Sequence, residues 1–181
     1  MSSTTINTVS NQPLDLLAPV PDFIHILDIA HGLALQCRFA GQIQEFYSVA
    51  QHSIMVSRLV PPEDAMWGLL HDASEAYLCD IVAPVKRTPL MTGYRMIETA
   101  LMRAVLIRFQ VRGDMPASVK DADRIALATE FRDLRGYSGD AAQCAVGARA
   151  AAQRIEPVDW QTARRLFMDR FREITSWGHA Q

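Results

Sequence analysis

The chain has 181 residues, 49% hydrophobic and 21% charged, with a formal net charge of −2. That length suits one domain with a single substantial core, and so even a charge balance argues against a nucleic-acid polymer as partner. Three widely separated cysteines, Cys37, Cys79 and Cys144, argue against a disulfide framework, and no apolar run reaches membrane-span length. The opening Met1-Ser2-Ser3-Thr4-Thr5 also lacks a secretory pattern, so the expectation is a cytoplasmic protein with no membrane contact.

Residues 1–21 are polar and punctuated by Pro13, Pro19 and Pro21, which reads as an extended arm ahead of a domain spanning 22–181. A short helix begins at Asp28, its N-cap, with Ile29, Leu33 and Leu35 inward and His31 as a packed histidine. The run Cys37-Arg38-Phe39-Ala40 ends in a turn at Gly41. A helix over 46–59 turns Val49, Met55, Val56 and Leu59 to one face and carries His52. Pro61-Pro62 reverses the chain into a helix over 67–78, which brings His52 towards His71. On that helix His71 and Glu75 are one turn apart, with Asp72 beside His71. Ile81, Val82 and Pro84 then break the helix, leaving Asp80 at a C-terminal end, where the helix dipole disfavours a carboxylate.

A helix over 94–109 turns Met96 or Ile97, Leu101, Ala104 or Val105 and residues 107–109 inward, with Glu98 towards solvent. After a turn at 113–116, the stripe Val119, Ala122, Ile125, Ala126, Thr129 marks another helix, interrupted by Asp123. Asp121, nearer the helix start where an acid is favoured anyway, is the weaker rival as a ligand. Glu130, Arg132 and Asp133 read as surface charges, with a role as partners that orient the metal ligands as the weaker alternative. An alanine-rich helix is expected over 141–154, and Asp159 caps a last one over 160–177 with Phe167, Phe171 and Ile174 on one face. Its Arg164, Arg165, Arg170 and Arg172, interleaved with Asp169 and Glu173, read as a solvated face. No strand pattern competes, so the expected fold is an all-α bundle of six to seven helices around a central site.

His52, His71, Asp72, Glu75 and Asp80 fall where an apolar helix face would place core residues. Imidazoles and carboxylates are costly there unless paired or bound to metal. His52, His71, Asp72 and Asp123 together make a mixed nitrogen and oxygen set suited to one divalent transition metal: Co, Mn, Zn, Fe or Ni.

The ordered set His52-Ser53, His71 to Glu75, Asp80, Pro84-Val85-Lys86 and Lys120 to Asp123 resembles the signature of the HD-superfamily metal-dependent phosphohydrolases. Within it, the resemblance is to the bacterial and phage 5'-deoxynucleotidase-like branch and covers about residues 29–134. It implies a single HD-domain helical bundle with the metal on His52, His71, Asp72 and Asp123. Glu75 and Asp80 would handle protons, Asp80 at the attacking water and Glu75 in the hydrogen-bonding network. Arg38 and Phe39 would hold phosphate and sugar, Phe39 crowding the 2' position, and Lys86 would offset phosphate charge. The activity implied is release of phosphate from deoxynucleoside monophosphates by a homodimer or higher homo-oligomer. Two alternatives stand beside it: a deoxynucleoside triphosphate hydrolase releasing triphosphate, and a non-catalytic HD-like regulatory bundle.

Overall fold

Near the start of the chain, Ile6 and Leu14 face each other across a short antiparallel hairpin of β1 (Thr5–Asn7) and β2 (Pro13–Asp15), in a computed structural model that describes residues 4–177. Leu14 is fully buried in the main core. No strand pattern stands out in the sequence, yet this hairpin lies within the described part of the extended segment 1–21: three-residue strands are too short for alternation to show.

The rest is mostly helical: α1 (Ile26–Leu35), α2 (Val49–Leu59), α3 (Ala65–Leu70), α4 (Glu75–Leu78), α5 (Ala83–Lys86), α6 (Thr92–Arg108), α7 (Ala117–Leu134), α8 (Gly139–Val146) and α9 (Trp160–Trp177). α1 starts two residues before Asp28. That residue is therefore not its N-cap; it is buried and accepts a hydrogen bond from the Ser10 backbone N–H at 2.7 Å, tying the hairpin turn to the helix. Ile29 and Leu33 point inward as expected, whereas Leu35 is exposed. α2 begins at Val49 because the Ser48 hydroxyl accepts from the Gln51 N–H, a capping bond that ends the preceding extended segment.

The expected helix over 67–78 is two short ones. Between α3 and α4, Ala73 N–H donates to Leu70 O and Glu75 N–H to Asp72 O, three-residue bonds that tighten the backbone through His71–Ser74. Two glycines set how closely the helices approach. A Cβ on Gly68 would lie 2.9 Å from Ser57 Cα, and one on Gly32 would lie 2.5 Å from Ala76 O. Their absent side chains let α3 lie on α2 and α4 on α1.

Ile29, Leu33, Val49, Ile54, Leu69, Leu101 and Phe167 belong to the main core, while Val56, Trp67, Val119, Ala122 and Ala126 form a second cluster among α2, α3 and α7. On α6, Leu101, Ala104 and Val105 are buried, but Met96 and Ile107 face outward. The alanine-rich stretch is helical only as far as Val146 and turns at Gly147, φ 74°. Arg132 and Asp133 are not surface charges. Arg132 donates to Ala151 O and Gln153 O, and Asp133 accepts from Ile155 N–H, which holds the irregular segment before α9. Asp159 does cap α9, accepting from Thr162 N–H at 2.7 Å, but Arg170 is buried and donates to Ser57 Oγ and O. No helix among the described residues is long and apolar enough to cross a membrane.

Candidate metal centre

His52 lies near the start of α2, one turn in, with its side chain fully buried. His71 follows directly on α3, and Asp123 is on α7. The close α2–α3 approach brings His52 Nε2 to 3.2 Å from His71 Nε2. Asp72 Oδ2 lies 3.2 Å from His71 Nε2 and 3.6 Å from His52 Nε2, and Asp123 Oδ1 lies 3.2 Å from His52 Nε2. His52, His71 and Asp72 thus offer three ligand atoms within 4.8 Å of one another, and Asp123 reaches this group at His52. Asp121 does not join them; it is exposed and pairs with Arg124.

The outer nitrogens explain the inner ones. His52 Nδ1 lies 2.7 Å from Glu130 Oε1 and His71 Nδ1 lies 2.8 Å from the Gly68 carbonyl. Both partners accept only, so each Nδ1 carries the proton and each Nε2 can turn a lone pair to the centre. Two imidazole lone pairs and two carboxylate oxygens within such distances have no donor among them. The His52, His71 and Asp72 atoms could hold a cation, and their mixed nitrogen and oxygen chemistry suits a divalent transition metal. Without metal, a proton serves instead: burial and Arg38 oppose it, but Glu130 and Asp123 outweigh them and push the His52 pKa up to about 10.

The carboxylates divide into two groups. Burial raises Asp72, yet His71, His52 and Arg38 together hold it far below the usual carboxylate range, and Asp123 is lowered against its own burial by His52. Glu75 goes the other way: burial first, then the Asp72 and Asp80 charges, push it up to about 9. Its Oε2 is buried with no hydrogen-bond partner. Asp80 is also raised, chiefly by burial. The arrangement thus combines an ionised ligand set with a neighbouring carboxyl that stays protonated at neutral pH.

The remaining expected residues surround this group. The Arg38 guanidinium reaches Asp72 at 3.9 Å and Glu130 at 2.9 Å. Phe39, at φ 57°, packs on Phe131, and Arg38 and Arg135 lie over its ring. The turn expected at Gly41, φ 75°, already begins at Phe39 and Ala40, both left-handed and costly for residues with a Cβ. Lys86 donates to Glu75 at 3.3 Å and makes a closer pair with Glu98. Burial opposes the lysine's charge, but Glu98 and then Glu75 favour it, and Glu98 is half-buried rather than solvent-facing. Tyr94 and Arg95 of α6 bind Cys79 O, Lys86 O and Thr88 O, fixing the loop that carries Asp80 and Lys86.

Glu130 corrects the surface reading in favour of the weaker alternative, a partner of the site residues: it is fully buried. Burial disfavours its charge, but Arg38 and His52 lower its pKa below the ordinary value. Its position seven residues after Asp123, two turns along the same helix face, is a signal the sequence does carry. Gln36 carries none. Its side chain donates to Glu75 O at 2.7 Å and accepts from Asp80 N–H at 2.8 Å, clamping both ends of α4. A cavity of about 730 Å³ between Pro19, Pro21 and α6 is lined by Arg95 but by none of His52, His71, Asp72, Glu75, Asp80 or Asp123. The convergence of titratable side chains, rather than that cavity, makes this group the candidate functional centre.

No protein-family model matches the chain. It is 41% identical over 155 residues to the uncharacterized protein YfdR of Escherichia coli (strain K12), covering 85% of this chain and 86% of that protein. The chain belongs to the family of YfdR. An uncharacterized protein of Rhodobacter capsulatus is 38% identical over 143 residues, 72% of each chain. This family therefore has members in at least two bacteria.

Proposed function

We propose that the chain is a metal-dependent phosphohydrolase of the HD superfamily that acts on deoxynucleotides, releasing phosphate from deoxynucleoside monophosphates. The observation that carries this reading is the meeting of ligand atoms from His52, His71 and Asp72, with Asp123 against His52, beside a buried carboxyl of raised pKa. A bound divalent ion, whether Co, Mn, Zn, Fe or Ni, would supply polarisation of a phosphoryl oxygen and acidification of water.

The chain's own residues do the rest. Asp80 orients the attacking water and takes its proton. Glu75, protonated at neutral pH, keeps an O–H in the hydrogen-bonding network that faces the leaving group. The phosphorus–oxygen ester bond breaks, hydroxide joins the phosphate, and the nucleoside oxygen leaves with the proton that Glu75 gives up, while Asp80 holds the proton taken from the water. Arg38 sets its charge against the phosphate, and the Phe39 ring bounds the sugar.

The monophosphate is favoured over the triphosphate because Lys86 is engaged by Glu98, leaving Arg38 as the principal cation beside the ligands. A cytoplasmic homo-oligomer remains part of this reading. Its test is turnover with added metal against deoxynucleoside mono- and triphosphates and the matching ribonucleotides, with products separated by ion exchange. Phosphate from the deoxy monophosphates is the expected result. Triphosphate release would move the reading to the triphosphohydrolase, and no turnover with metal bound would overturn the substrate class.

A further inference from the structure

We infer that Glu130 is a positioning residue that couples the two halves of the site, anchoring a metal-binding histidine and the anion-facing arginine through one carboxylate. The inference rests on the metal-centre reading above but concerns a residue that holds neither metal nor substrate. Glu130 is on α7, with no exposed surface. Its Oε1 accepts from His52 Nδ1 at 2.7 Å, and its Oε2 accepts from Arg38 Nη2 at 2.9 Å. His52 comes from α2 and Arg38 from the turn before it, 92 residues from Glu130 in the chain. One side chain therefore joins three separate segments at the centre.

A buried carboxylate is costly unless both oxygens are satisfied by well-aligned donors, and here one donor on each oxygen belongs to the site itself, with the Tyr47 hydroxyl as a further partner. An ionised carboxylate only accepts hydrogen bonds, and this fixes both neighbours. The proton of His52 is kept on Nδ1, with Nε2 directed at His71, Asp72 and Asp123. Arg38 is drawn to the same point, leaving Nη1 at 3.9 Å from Asp72. A glutamine of the same shape could not serve both. Its carbonyl would accept from one partner while its amide NH₂ faced the other's N–H, so either the imidazole or the guanidinium would come loose.

The test uses the full chain as wild type, Glu130→Gln and Glu130→Asp. In metal-free protein labelled with 15N-histidine, NMR is expected to show a slowly exchanging, downfield proton on His52 Nδ1 in the wild type and its loss in Glu130→Gln. Calorimetric titration with Mn²⁺ is expected to show a loss of about 10- to 100-fold in affinity for Glu130→Gln, the range typical of partners that orient metal-bound histidines. Inorganic phosphate should also bind the Mn²⁺-loaded variant more weakly, because Arg38 is released with it. Glu130→Asp, which keeps the charge but shortens the reach, should fall between the two.

An unchanged Nδ1 proton together with wild-type Mn²⁺ affinity in folded Glu130→Gln would overturn the inference. Should that variant not fold, the same two wild-type readings in Glu130→Asp would overturn it equally. If the wild type binds no Mn²⁺ at all, the metal reading fails, while the Nδ1 proton still decides whether Glu130 positions His52.

Discussion

Asp121 and Asp123 are two residues apart on α7 and have opposite surroundings. Asp123 Oδ1 reaches His52 Nε2 at 3.2 Å, whereas Asp121 pairs with Arg124 in solvent. Asp123→Ala is expected to abolish stoichiometric metal binding, measured by elemental analysis of the purified protein, and Asp121→Ala to leave it intact. Reversed results would show that the wrong carboxylate has been taken as the fourth ligand. Asp80 is expected to separate binding from chemistry: Asp80→Ala keeps its metal but loses turnover by about 10²- to 10⁴-fold, the usual worth of a positioned acid or base. Loss of metal in that variant would make Asp80 a ligand rather than a proton carrier. At this scale much was legible, because an imidazole or carboxylate in an apolar helix is conspicuous for its cost. Glu130 was harder to read, since its neighbours Arg132 and Asp133 disguise it as one of a solvated run. Gln36 was illegible, because its bonds run to residues about forty positions away.

Among the helices, the α2–α3 contact governs the site, and Gly68 governs that contact. Added at Gly68, a Cβ would meet Ser57 Cα at 2.9 Å, backbone that cannot rotate aside. Gly68→Ala is expected to cost about 1–3 kcal/mol, the range for overpacking a well-packed interior, and to weaken Mn²⁺ binding by moving His71 away from His52. Chemical denaturation and metal titration check the two effects. Gly93 in α6 has open space around it, so Gly93→Ala should leave stability unchanged or slightly raised. A Gly68→Ala protein as stable as wild type would mean that the helices slide apart without strain. Helix boundaries were read to within a few residues where a cap announced them, as Asp159 does for α9. The helix over 67–78 was misread because apolar periodicity continues straight through the tight turn that splits it.

For the molecule as a whole, the ligand cluster sets how stability depends on pH. His52 is raised from 6.5 to about 10 and Glu75 from 4.5 to about 9, so the folded metal-free chain keeps protons that the unfolded chain has released. These contributions are fully present below the unfolded values and are lost as pH rises through the folded ones. Asp72, Asp123 and Glu130 are lowered instead, and their contribution is lost on acidification. The metal-free protein is therefore expected to melt at progressively lower temperature from about pH 6.5 towards pH 10. Mn²⁺ should flatten that slope, because it displaces the proton between the His52 and Asp123 side chains. Calorimetry at several pH values checks this, and an equal slope with and without Mn²⁺ would refute it. From the order of residues alone came the helical class and the four ligand candidates, because helical periodicity and the cost of burying charge are local properties that sequence displays. Only the tertiary structure decided that the carboxylate of Glu130 joins His52 to Arg38, that Glu98 pairs with Lys86, and that Leu14 belongs to the core. Those outcomes depend on which distant segments share a dry interior, where one buried carboxylate must find two donors and no local pattern records which.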